Sequence, residues 1–152
     1  MKFGGTSVAG INKIKNIVSI VSKQSKKNKV VVVLSAMAGE TNKLQGYLDE
    51  FSSQKSIESD LVLTSGEQVT IGLLSAALKN EGVKSIPLLG WQIPIITDEQ
   101  HEKGRILNIN NENLNKYFQS NDVIVLAGFQ GISTHGYITS LGRGGSDTTA
   151  VA

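Results

Sequence analysis

The sequence predicts an α/β fold: a three-layer α/β/α sandwich around a mainly parallel sheet. Three observations carry that expectation. Residues 29–34 and 122–127, after an opening Lys29 and Asp122, are apolar, rich in β-branched side chains and without alternation, the pattern of strands covered on both faces. Helical periodicities lie between such runs, the order that produces parallel crossovers. Glycine-rich segments follow the strands, where the C-terminal edge of a parallel sheet builds ligand sites.

The chain opens on Lys2-Phe3-Gly4-Gly5-Thr6-Ser7, which joins a cation, paired glycines and hydroxyls. Ile11, Ile14, Ile17, Val18 and Val21 then recur at helical spacing and predict a helix over 9–27. After the strand at 29–34, residues 35–39 form a loop, and Thr41 or Asn42 is expected to cap a short helix carrying Leu44, Tyr47, Leu48 and Phe51. Residues 52–59 are polar and read as a surface loop. Leu61, Val62 and Leu63 lead into Ser65-Gly66-Glu67, which opens a long helix with Val69, Leu73, Leu74, Ala77 and Leu78 on its apolar stripe. Gly82 ends it.

Short strands are expected at 85–89 and 93–97, broken by Gly90, Trp91 and Pro94. Residues 100–115 carry little pattern, and a short helix is expected over 113–118. The strand at 122–127 runs into Gly128-Phe129-Gln130-Gly131, whose aromatic and amide shape a site wall or pack. His135-Gly136, between Ile132 and Ile138, reads as a hairpin tip. The last stretch, Leu141-Gly142-Arg143-Gly144-Gly145-Ser146-Asp147-Thr148-Thr149, has three glycines in four positions, which permits positive φ and close approach to a ligand. Ser146 or Asp147 is expected to cap a helix through 148–152, whose amides would attract anions.

Composition narrows the function classes. At 152 residues the chain supports one domain with a real core. Its net charge of +2 comes from interspersed acids and bases, with no basic block to suggest nucleic acid. Cysteine is absent, which removes disulfides and thiolate chemistry. No apolar run reads as the roughly 20 residues that cross a bilayer, and no signal peptide precedes the first motif, so no membrane partner and a cytoplasmic location are expected. His101 and His135 lie in polar segments without ligand-spaced partners, so no metal site is expected. Met37 and Trp91 read as packing residues.

Neither glycine loop fits the common phosphate motifs. No Gly-Lys-Ser/Thr triplet closes a P-loop, and Asp147 stands where a dinucleotide fingerprint starting at Gly142 needs its last glycine. The residue types still suit anions. Lys2 can balance charge on a transferring phosphoryl group, and Arg143, one of two arginines against thirteen lysines, offers a planar fork for a carboxylate or phosphate. Read alone, Glu67 at a helix start merely complements the dipole, and Asp147 is a helix cap.

Five segments in order, KFGGTSV, VVVLSAMAGETNKL, LTSGEQV, AGFQG and GRGGSDTTAVA, give the chain a resemblance to aspartate kinases of the amino acid kinase superfamily. The resemblance covers nearly the whole length. It implies that Lys2 and Asp147 belong to the reaction centre and that Gly4, Gly5 and Ser7, with Lys2, line the ATP phosphates. Glu67 would hold the ammonium group of L-aspartate and Arg143 its carboxylate, with Ser35, Thr41, Gly145 and Ser146 around the same substrate. ATP would bring Mg²⁺ with it, and the product would be 4-phospho-L-aspartate.

Against that family's pattern, residues 1–152 correspond to the amino-acid-binding part of the kinase domain. The strand before the lysine, the nucleotide-base region and the regulatory ACT domains are expected to be missing, leaving a chain inactive alone and inclined to self-associate. Two other readings stand beside this one. The first is a sister enzyme acting on glutamate or N-acetylglutamate; Glu67 argues against the acylated acid, because it needs an ammonium to pair with. The second is a non-catalytic remnant.

Overall fold

The computed structural model describes residues 1–51, 54–109, 111–142 and 144–152, with the side chain of Asn111 also outside the description. Its centre is a four-stranded parallel sheet of β1 (Lys2–Phe3), β2 (Val30–Leu34), β3 (Ser85–Leu88) and β6 (Val123–Ala127), in the order β1-β2-β6-β3. Every pairing in it is parallel, with Val32 opposite Val125 and Pro87 on the edge strand, where a missing N–H is tolerated.

Alternation divides the sheet between two cores. Val30, Val32, Leu34, Val123, Val125 and Ala127 face α1 (Ile11–Ser25) and α4 (Ser65–Asn80). Val33, Ile124, Leu126 and Leu88 face the opposite way, toward α5 (Asn111–Phe118) and a second sheet. The α/β expectation with a parallel sheet therefore holds. The second sheet was not foreseen in this form: β5 (Ile106–Ile109), β4 (Ile95–Thr97), β7 (Gln130–Ser133) and β8 (Ile138–Ser140) lie in the order β5-β4-β7-β8, parallel at β4–β7 and antiparallel elsewhere. Residues 133–137 close the β7–β8 hairpin, as the His135-Gly136 pair suggests.

Several local expectations need correction. Helix α2 (Glu40–Asp49) begins after Gly39, which takes the left-handed conformation and makes no side-chain cap, so Thr41 and Asn42 lie inside the first turn. The polar loop expected over 52–59 gives way at Ser56, whose hydroxyl caps α3 (Ile57–Leu63) in a reciprocal pair with Ser59. Thr64 keeps right-handed helical geometry between α3 and α4, so the two run on as one helical stretch over 57–80. Its length and mean hydropathy of 1.4 would suffice to span a bilayer, contrary to the sequence expectation; half of it is buried in the fold, as core helices are.

On α4 the buried face is Gly66, Glu67, Thr70, Ile71, Leu74, Ser75 and Leu78, whereas Val69 and Leu73 are exposed. Small and polar residues on the inner face had hidden the stripe. Trp91 also faces solvent, in a 3-10 turn (Gly90–Gln92), rather than packing. Lys2 itself lies in β1, a two-residue edge strand paired with β2.

Candidate active site

Three strand ends and two helix starts converge on one cavity of about 1050 Å³. β1 delivers Lys2 and then Gly4 and Gly5; β2 delivers Ser35 to Gly39; the end of β6 delivers Phe129. From the helices come Glu67 of α4 and the start of α6 (Gly145–Val151).

The first and last glycine segments meet here across the whole sequence. Lys2 Nζ lies 2.7 Å from Asp147 Oδ1, with the lysine mostly shielded and the aspartate mostly in solvent. Close backbone approach holds the loops at this spacing. A side chain on Gly5 would meet the Ala36 carbonyl oxygen at 2.8 Å, and the Gly5 carbonyl accepts from the Ala38 N–H at 3.1 Å. A side chain on Gly128 would meet Ser146 Oγ at 2.7 Å, so β6 and α6 are locked together. The expected cap of α6 is replaced by Gly144 in the left-handed conformation; Ser146 and Asp147 sit within the first turn and do not cap it.

Glu67 is the electrostatic anomaly of the cavity. Its residue is 2% exposed, Oε1 accepts the Ala36 N–H at 2.8 Å, and Oε2 has no hydrogen-bond partner among the described residues. Burial raises its pKa to about 7, and the Ala36 hydrogen bond offsets only part of that rise. Thr70 Oγ1 donates to the Ser35 carbonyl at 3.0 Å, so the same helix also fixes the loop that carries Ser35.

The cavity thus gathers Lys2, Gly4, Gly5, Ser35, Thr41, Glu67, Gly145, Ser146 and Asp147 from the expected set. Ser7 is not among its lining residues: it is exposed, in a turn where its N–H donates to the Gly4 carbonyl. Arg143 lies outside the described residues, between Gly142 and Gly144, both of which line the cavity. Phe129 lines the wall with φ at 68°, whereas Gln130 is buried and donates through Nε2 to the Thr64 carbonyl.

Sequence reasoning missed Lys55, Glu102, Lys103 and Ser140 in the lining, and the buried Asp60 behind them. His101, expected only not to hold a metal, has Nδ1 2.8 Å from Asp60 Oδ2. A signal for α3 existed in the Ser56-x-x-Ser59 spacing before Leu61.

A family model described as the amino acid kinase family matches residues 1–152. An aspartokinase of Rickettsia conorii is 49% identical over 98% of this chain and 38% of its own length; one from Bacillus sp. (strain MGA3) is 48% identical over 99% and 37%. The chain therefore spans well under half of the relatives it matches. Among solved structures, aspartate kinase from Synechocystis superposes with a TM-score of 0.81 at 38% identity, covering 99% of this chain and 25% of that one. E. coli aspartokinase III in complex with aspartate and ADP gives 0.78 at 20% identity, over 98% and 44%, a likeness of fold.

Proposed function

The chain belongs to the amino acid kinase family, and from that premise we propose that it forms the acceptor pocket and phosphate cradle of an aspartate kinase. The reaction is transfer of the γ-phosphoryl group of ATP to the side-chain carboxylate of L-aspartate, giving 4-phospho-L-aspartate. One observation carries the choice of a free amino acid as acceptor. Glu67 holds a buried carboxylate oxygen with no partner among the described residues, in a cavity whose other lining includes the Lys2–Asp147 pair. An ammonium group is the ligand that completes Glu67, and an amino acid brings one.

The chemistry asks little of a general base, because the attacking carboxylate is already ionised. An acceptor oxygen forms the new P–O bond while the bond to the ADP oxygen breaks. The site must bring two anions together and neutralise them. Lys2 does this by exchanging Asp147 for the transferring group, and the backbone at Gly4, Gly5 and Ser146 offers N–H donors to phosphate oxygens. Mg²⁺ arriving on the nucleotide neutralises phosphate charge, and Asp147, the cavity carboxylate paired with Lys2, is the group here that would face it. In this reading Arg143, Ser35, Thr41, Gly145 and Ser146 hold the acceptor's remaining polar groups.

A cytoplasmic setting, where ATP is available, fits this chemistry. The acceptor reading is tested by calorimetry with L-aspartate and N-acetyl-L-aspartate. L-Aspartate should bind and the acetylated form should not, because acylation removes the charge that Glu67 pairs with. Equal binding of both would move the reading to a kinase of acylated amino acids.

A further inference from the structure

Asp60 is fully buried on α3, and its carboxylate gathers three donors from distant parts of the chain. Oδ1 accepts the Glu102 N–H at 2.9 Å and the Ser140 hydroxyl at 2.6 Å; Oδ2 faces His101 Nδ1 at 2.8 Å. Two of these donors belong to the turn between β4 and β5, and the third belongs to β8. The turn is further pinned by the Gly104 N–H on the Ser140 carbonyl at 2.8 Å.

What the clamp holds is strained. Glu102 has φ at 58°, and with Phe129 it is one of two non-glycine residues in the left-handed region among the described residues. Both line the cavity. Such a conformation persists only where its surroundings impose it, and the Glu102 amide is the group bonded to Asp60. The Glu102 carbonyl oxygen also lies 3.0 Å from where a side chain on Gly142 would project, so this turn abuts the segment leading into the last glycine loop. Lys55 reaches the Glu102 carboxylate at 3.5 Å.

We infer that Asp60 is a positioning residue for this site, holding the 101–104 turn in its strained form as one wall of the acceptor cavity. It touches no substrate itself. The role rests on the reading of the cavity as the L-aspartate site, and it predicts that Asp60 sets acceptor affinity through the backbone of Glu102. Its mechanism is specific enough to separate from mere core packing. A glycine at 102 adopts this φ without cost, so the need for the clamp should fall when Glu102 is replaced by glycine.

The experiment is a double-mutant cycle on the whole chain, with L-aspartate binding measured by calorimetry and stability by urea unfolding on the same samples. D60N keeps the size but loses the charge that strengthens the bonds to Glu102 and Ser140. It should raise the Kd about fivefold in the wild-type background and less than about twofold beside E102G. S140A removes one of the three bonds and repeats the test at smaller amplitude should D60N fail to fold. An unchanged Kd with a lowered urea midpoint, or the same fold-change in both backgrounds, would overturn the inference. If the wild-type chain binds no L-aspartate, the substrate reading fails and amide hydrogen exchange decides the clamp. D60N should then speed exchange at Glu102 and Gly104 while leaving α1 unchanged, and a uniform change along the chain would overturn it.

Discussion

Asp60 and Glu67 stand seven residues apart on one helical stretch and are equally removed from water, yet the fold treats them differently. Asp60 receives donors at both oxygens. Glu67 receives a backbone N–H at one oxygen and, among the described residues, nothing at the other, and burial lifts its pKa to about 7. A buried carboxylate that serves the fold is saturated by it. One left half-paired beside a cavity costs stability until a ligand completes it, and that difference separates a structural acid from a site acid.

The sharpest way to break the comparison is to remove Asp60. Asp60→Ala strands the Glu102 N–H, the Ser140 hydroxyl and His101 together, and should cost about 3–5 kcal/mol in urea unfolding. A loss below about 1 kcal/mol would mean the three donors find water, and Asp60 would be no more structural than Glu67. At the phosphate side, Lys2→Ala should lower kcat on the order of 10²–10³ in a full-length aspartokinase carrying these motifs, with less effect on aspartate binding. Steady-state kinetics showing equal losses in both would make Lys2 a ground-state contact.

Next comes the pH profile of stability. The folded pKa of Glu67, about 7, lies above its ordinary 4.5, so the folded chain holds that proton more tightly than the unfolded chain. The contribution is fully present below pH 4.5 and is lost as pH rises through about 7, amounting to roughly 3 kcal/mol. Glu67→Gln should flatten that part of the profile and leave the chain more stable than wild type at pH 8. Parallel profiles would show that water already solvates Glu67. The smallest effect calibrates the rest: Lys29 and Asp122 form an exposed pair at 2.9 Å, and Lys29→Ala should change stability by less than about 1 kcal/mol.

Legibility in the sequence followed the range of the interactions. The strands at Val30–Leu34 and Val123–Ala127 announce themselves because each residue is apolar and β-branched or nearly so, and burial on both faces demands that. Most expected site residues also meet, since loops after parallel strands share one edge. Asp60 could not be read that way. Its partners lie 41, 42 and 80 residues away, and no local spacing encodes a clamp closed by tertiary packing. The capping errors at Thr41 and Asp147 have one cause: Gly39 and Gly144 in the left-handed conformation start those helices by backbone geometry, leaving the hydroxyl and carboxylate inside the first turn. Val69 and Leu73 misled because the true inner face of α4 carries Gly66, Glu67, Thr70 and Ser75, residues chosen for close approach and the site rather than for hydropathy.

The central claim is that Glu67 waits for the ammonium group of an amino acid. Calorimetric titration of L-aspartate at pH 6 and pH 8, on wild type and Glu67→Gln, tests it most directly. Only ionised Glu67 can pair with the ammonium, and a pKa of about 7 makes that form scarce at pH 6 and dominant at pH 8. Wild type should therefore bind about tenfold more tightly at pH 8, while Glu67→Gln binds weakly and equally at both. Affinity of wild type independent of pH, or a Glu67→Gln chain that binds as wild type does, would contradict the account.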